Sequence, residues 1–166
     1  MQITNNFSLR EFLYPDKMPV ELRLLNQGIF DFWRDYKHEQ RSEFDYAFYG
    51  YESLDQVIME KTDEEIIRNA HAVLSQIQVV RDYFKKPVIV TCGLRTKTWD
   101  ISRGRSGNSQ HCEAQAADFY VKGVDLEEVY KFCKTIFHGG GLAINRAAGF
   151  IHRDMRHTSN LITWNY

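Results

Sequence analysis

The 166-residue chain predicts an α+β fold: a small antiparallel sheet flanked by helices. Three observations lead there. Helical periodicity dominates the first half of the chain. β-branched and alternating segments are confined to the second half, with one further helical stretch among them. The length suits one domain with a substantial core, expected to span residues 1–166, with residues 1–61 forming a helical and aromatic region packed on the rest.

Ser8-Leu9-Arg10-Glu11 has the form of a capping box and starts a short helical turn that Pro15 ends. Over residues 19–38, Leu22, Leu25, Ile29, Trp33 and Tyr36 recur at three- and four-residue spacing, an amphipathic helix with Pro19 near its start. Residues 39–61 crowd Phe44, Tyr46, Phe48, Tyr49 and Tyr51 between charges; they read as a packed aromatic loop or short strand, or as a specificity insertion over a site.

Thr62-Asp63-Glu64-Glu65 opens the clearest helix, with Ile66, Ala70, Val73, Ile77, Val80 and Phe84 on one stripe and Pro87 as its stop. Residues 88–92 are a β-branched strand, and residues 97–108 a glycine-bearing loop with about one helical turn. Residues 115–121 form a second strand. Asp125 caps a helix running to about Phe137, which Gly139-Gly140-Gly141 ends. Residues 142–144 and 150–155 form two strands of a hairpin, and the tail packs through Trp164 and Tyr166.

Composition excludes several function classes. Twenty-one basic against 22 acidic residues, with no basic run, do not track a phosphate backbone, so nucleic acid is not an expected partner. No apolar stretch approaches the roughly 20 residues of a membrane span, and the first residues lack the charged and apolar regions of a secretory signal. A monomer kept in the cytoplasm of the producing cell is expected. Cys92, Cys112 and Cys133 are odd in number, which argues for free thiols rather than a disulfide framework.

The chemistry lies in Ser109-Gln110-His111, Asp118 and Ile151-His152-Arg153-Asp154. Two imidazoles and a carboxylate suffice to hold one divalent metal, and three protein ligands leave a fourth tetrahedral position open, as hydrolytic zinc sites require. An odd separation puts His111 and Asp118 on opposite faces of a regular strand, so His111 belongs on the loop entering the strand that carries Asp118. His152 and Asp154, two apart, share a face. Asp154 is then either the proton acceptor and donor of a hydrolytic step or the partner that orients His152. His-x-Asp pairs on strands are more often structural than metal-binding, so spacing alone does not decide the matter.

The stretch from Ser109 to Asp118 resembles the Ser-x-His-x-x-Gly-x-Ala-x-Asp signature of the zinc D-alanyl-D-alanine carboxypeptidase and phage endolysin family, related to the hedgehog zinc domain. Gly149-Phe150-Ile151-His152-Arg153-Asp154-Met155-Arg156 is similar to the late Gly-Phe-x-His-x-Asp-x-Arg element of its phage-rich branch. Asn6 to Phe12 and Pro87 to Arg95 resemble two further family segments. The resemblance implies a hedgehog/DD-peptidase-like fold and one zinc ion on His111, Asp118 and His152. It also implies that Arg95 and Ser109 face the substrate, with Arg95 suited to grip a carboxylate unless it pairs with a structural acid.

The implied activity is zinc-dependent hydrolysis of peptidoglycan stem peptides by a carboxypeptidase or an endopeptidase, as in a phage-type lysin that acts after release or in a virion. The rival is a non-catalytic, metal-stabilised module that binds cell wall or builds a virion. The sequence departs from the family at Ala114, where a glycine is usual, at Leu94 and at Cys92. Residues 141–151 contain no acid where many relatives carry their base, which makes Asp154 the expected catalytic group and Glu113 its reserve. His157 lies near the site in sequence and could assist as an acid, but reads first as a surface histidine; His71 reads as a surface or boundary residue, and His38 and His138 are expected to have no part.

Overall fold

The computed structural model describes residues 2–13, 15–20, 23 and 63–166. The Ser8 box forms: Ser8 N donates to Glu11 Oε2 at 2.8 Å and Glu11 N returns to Ser8 Oγ at 3.4 Å. It starts α1 (Leu9–Leu13), which buries Leu9, Phe12 and Leu13. Of the helix expected over residues 19–38, only the opening is described, with Arg23 N donating to Pro19 O at 2.9 Å. The rest of that helix, the aromatic segment 39–61 and the Thr62 cap lie outside the described residues.

Helix α2 (Asp63–Phe84) buries Ile66, Ala70, Val73, Leu74, Ile77 and Val80, the three-and-four spacing that puts one apolar stripe against a core. Next come β1 (Val88–Cys92) and the short α3 (Lys97–Ser102), whose first turn is capped by Thr96 Oγ1 accepting from Trp99 N at 3.1 Å. The chain continues through β2 (Ala116–Val121), α4 (Leu126–Ile136), β3 (Gly141–Asn145), β4 (Phe150–Asp154) and β5 (Ile162–Asn165). No helix among the described residues is long and apolar enough to cross a membrane.

The sheet order is β1-β2-β4-β3-β5. The expected α+β class and hairpin are present, and the first three pairings are antiparallel. The sheet is nevertheless mixed, because the tail adds a fifth strand parallel to β3. The link from β4 to β5 crosses the start of β3, where the three glycines let it pass. A Cβ on Gly139 would lie 2.6 Å from Thr158 O, and one on Gly140 (φ +77°) would lie 2.3 Å from Asp154 O. Gly140 instead donates its N–H to Thr158 Oγ1 at 2.9 Å and accepts from Ile162 N at 2.9 Å.

Strand alternation gives the sheet two different faces. Ala117, Phe119, Leu142, Ile144 and Ile151 join the stripe of α2 and the inner residues of α4, Val129, Tyr130 and Cys133, in one core. Burying such side chains stabilises by about 1.5–3 kcal/mol each. Arg153 shares this face. Its guanidinium donates to Gln76 Oε1, Gly139 O and Gly141 O and lies 4.4 Å from the Phe137 ring centroid. The other face carries the candidate site.

Candidate metal centre

Register aligns one residue from each strand into a single transverse row. Cys92 pairs with Asp118, Asp118 with His152, His152 with Ala143, and Ala143 with Trp164. Asp118 and His152 thus stand side by side on β2 and β4. His111 enters from the turn before β2, as its odd spacing from Asp118 requires. Ala114 N donates to His111 O at 3.1 Å and Gln115 N to Gln110 O at 2.8 Å, closing that turn.

Three donor atoms converge. His152 Nδ1 is 2.8 Å from Asp118 Oδ1, His111 Nε2 is 3.3 Å from the same oxygen, and the two ring nitrogens are 3.2 Å apart. The remaining ring nitrogens are held from behind. His111 Nδ1 donates to the Gly93 carbonyl at 2.6 Å, and a carbonyl can only accept, so Nε2 of the neutral ring keeps its lone pair toward the cluster. His152 Nε2 donates to Asp154 Oδ2 at 3.0 Å, which likewise turns Nδ1 inward. All three side chains are buried. Two oriented imidazole nitrogens and a carboxylate oxygen make the donor set of a divalent cation site, and these residues fit one. Cys92 Sγ also lies within 4.8 Å of ligand atoms of His111 and Asp118.

Electrostatics agree with that arrangement. Burial lowers the His111 pKa against the opposing pull of Asp118, so the ring stays neutral. For His152, burial would lower the pKa, but the hydrogen bonds to Asp118 and Asp154 outweigh it and the net direction is up. Burial likewise works against the ionised Asp118, yet both histidines together hold its carboxyl well below the usual range. The Cys92 thiol is pushed far up by burial and then by Asp118, which keeps it neutral.

Asp154 stands elsewhere than a proton acceptor should. It is fully buried behind His152, on the ring nitrogen turned away from the convergent donors. Arg156 grips both of its oxygens: Nε donates to Oδ1 at 2.8 Å, Nη2 to Oδ2 at 2.6 Å, and the Arg156 backbone N to Oδ1 at 3.1 Å. Burial would raise its pKa, but His152 and Arg156 hold it below the carboxylate range. Geometry thus favours the orienting alternative. Gly141 is what admits this carboxylate, since a Cβ there would fall 2.3 Å from Asp154 Oδ2. Glu113 engages Lys97, with Oε1 4.0 Å from Nζ.

Arg95 and Ser109 meet each other at the side of the His111 turn. Arg95 Nη2 donates to Ser109 Oγ at 2.9 Å, which also accepts from His111 N at 3.2 Å, and Arg95 N donates to His111 O at 3.2 Å. Arg95 does face a structural acid: Nε lies 3.5 Å from the buried Asp100, which Arg105 flanks at the same distance. Sequence reasoning missed Gly93, Gly141, Arg156 and Trp164. Arg156 was visible within the late motif, Gly93 shows its role only through the bond its carbonyl accepts from His111, and only register reveals what Gly141 and Trp164 do.

A sequence model described as Peptidase M15 matches residues 51–154, more than half of the chain and including His111, Asp118, His152 and Asp154. Among curated proteins none matches. The donor set, its rear supports and that match agree: this chain belongs to the Peptidase M15 family and is a metallopeptidase.

Proposed function

We infer that the protein is a zinc-dependent peptidase of peptidoglycan stem peptides, of the phage-lysin type, that holds one zinc ion on His111, Asp118 and His152. The observation that carries the reading is the convergence of those three donors within 3.3 Å of one another, with both imidazoles fixed by acceptors behind them. A zinc ion held by His111, Asp118 and His152 would supply Lewis acidity toward a scissile carbonyl and an attacking water.

The chain's own residues supply the rest. Asp154, clamped by Arg156, positions His152 and raises its basicity as a ligand. Gly93 does the same for His111. Arg95 and Ser109, joined beside the His111 turn, present a guanidinium and a hydroxyl toward the substrate, suited to a peptide carboxylate or carbonyl. Asp100 keeps the Arg95 side chain from swinging away.

A second reading has one observation in its favour. Among the described residues, the acids bonded to the three donors are Asp118 itself and Asp154, and Asp154 is committed to His152 and Arg156. A metal-stabilised module that binds cell wall without cutting it would need no further carboxylate. Purified peptidoglycan incubated with the zinc-loaded protein, with and without chelator, separates the two. Chelator-sensitive release of new amino groups supports the peptidase. Binding without release supports the module.

A further inference from the structure

The face of β4 turned away from the metal centre holds a buried cation with no acid beside it. Arg153 is 2 % exposed. Its Nε donates to Gln76 Oε1 at 2.7 Å and its Nη1 to the Gly139 and Gly141 carbonyls at 2.8 and 3.2 Å, all neutral acceptors. Nη2 meets only the Met155 thioether at 3.9 Å, a weak acceptor. Asp154, the next residue, turns to the other face and is held by Arg156. Among the described residues no carboxylate pairs with Arg153, although a charge so deeply buried ordinarily has a partner. The guanidinium lines an open cleft of about 490 Å³ between α2, the end of α4 and the link beyond β4. The ionisable residues in the wall of that cleft are all basic: His138, Arg153, Arg156 and His157. Both histidines are exposed, and neither ring has a hydrogen-bond partner among the described residues.

We propose that this cleft is a second, non-catalytic site that binds a phosphate group, with Arg153 Nη2 at its floor and the ring N–H groups of His138 and His157 at its mouth. The site is independent of the peptidase reading. Charge sets the sign of the ligand: a wall of basic groups without one acid, around a guanidinium shielded from water, attracts an anion and supplies the counter-charge that the fold omits. Geometry sets its shape. Both forks of Arg153 are half spent, Nε on Gln76 and Nη1 on carbonyls, so the two-point grip that suits a planar carboxylate is closed. Single donors arriving from separate walls suit a tetrahedral oxyanion. The cleft is roomier than a bare phosphate needs, and Val79, Phe137 and Met155 give it apolar wall, so it also admits the organic substituent of a phosphate ester.

The test titrates the full chain, zinc-loaded and chelated, with inorganic phosphate, with dimethyl phosphate and with acetate. Binding is read from the Arg153 Nε–H and the Gly139 and Gly140 amide resonances, which report on the cleft rather than on the metal centre. Saturable shifts are expected with inorganic phosphate, equal in the two forms, and with acetate at least about tenfold weaker. Saturation by dimethyl phosphate as well assigns the site to phosphodiesters; saturation by inorganic phosphate alone assigns it to free phosphate or monoesters, and either result supports the proposal. Val79 is 49 % exposed on the α2 wall, so Val79→Glu sets a carboxylate in the cleft without disturbing the core and should abolish binding, while Val79→Gln keeps it. His138→Ala with His157→Ala, both at exposed positions, should weaken binding about five- to tenfold. Arg153→Met also removes three structural bonds, so the exposed variants carry the decision. No saturable shift, acetate binding as tightly as phosphate, or undiminished affinity in Val79→Glu overturns the site. Shifts that appear only in the zinc-loaded form overturn it too, because they place the anion on the metal.

Discussion

Asp154 Oδ2 lies 3.0 Å from His152 Nε2, the ring nitrogen opposite the one that faces Asp118. A carboxylate in that place orients the His152 ring, and under the proposed zinc reading it supports a ligand instead of receiving a proton from water. Asp154→Asn should therefore weaken zinc binding about 10- to 100-fold, with activity returning when zinc is added in excess. His152→Ala should abolish uptake at any practical concentration. Zinc affinity by competition with a chromogenic chelator, beside peptidase assays across a zinc titration, checks both. Full zinc affinity with no activity in Asp154→Asn would return the acid to a proton-transfer role.

Gly141 and Asp154 are paired across the hairpin, and the glycine's missing side chain is the space the carboxylate fills. Gly141→Ala forces a contact near 2.3 Å unless Asp154 withdraws from His152. The expected outcome is a folded protein that binds zinc at least about tenfold more weakly than the wild type, resembling Asp154→Asn. Gly149→Ala is the control, since a Cβ there meets nothing within 4 Å, although its φ of +73° makes it mildly strained. Equal zinc affinity in Gly141→Ala and wild type would show that the Asp154 position does not matter to the metal.

Much of this arrangement is legible in the amino-acid sequence. The odd separation of His111 and Asp118 placed one on a turn and the other on a strand, and the β-branched run at residues 88–92 and the glycine-bearing hairpin gave three of the strands. The rest was hidden for a physical reason: cross-strand register is a long-range property. Nothing local to Ala143 says that it separates His152 from Trp164, and nothing local to Gly141 says that it makes room for an acid thirteen positions later. The tail read as packed but not as a strand, because its partner β3 lies on the far side of β4's hairpin, and pairing there depends on three glycines that look locally like a helix stop. The proton-transfer role expected of Asp154 came from sequence proximity, which does not show which ring nitrogen it reaches.

Proton and metal should compete at His152. In the metal-free protein its acceptors, Asp118 and Asp154, overcome burial and raise its pKa above the ordinary 6.5. A raised folded-state value gives the metal-free fold stability that is fully present below the unfolded value and is lost as pH rises through the folded one. Zinc requires Nδ1 bare, so its affinity should climb about tenfold per pH unit while one proton is displaced, and level off above the folded pKa. Both effects act in one direction, and the gap in Tm between zinc-loaded and chelated protein should widen from pH 5.5 to pH 8. Calorimetry at fixed free zinc measures it. A gap that stays constant over that range would remove His152 from the ligand set.

Ala114 occupies the position where the family signature has glycine, and its φ is +55° with the side chain fully buried. An L-residue in that region is strained by roughly 1–2 kcal/mol. Ala114→Gly relieves the strain but removes a buried methyl worth about 0.8 kcal/mol and frees the unfolded chain by about 0.4–1 kcal/mol. The opposing effects nearly cancel, so the substitution should move Tm by less than about 4 °C and leave zinc content unchanged, because the turn is closed by backbone bonds that glycine also makes. Ala114→Val adds a β-branched side chain to the same strained backbone inside the core and should lower Tm by at least about 5 °C. Thermal denaturation of the three proteins decides the point. A large gain for Ala114→Gly would mean that strain outweighs the packed methyl and that the departure from glycine costs this fold stability; a large loss would mean that the methyl is a working part of the core beneath the His111 turn.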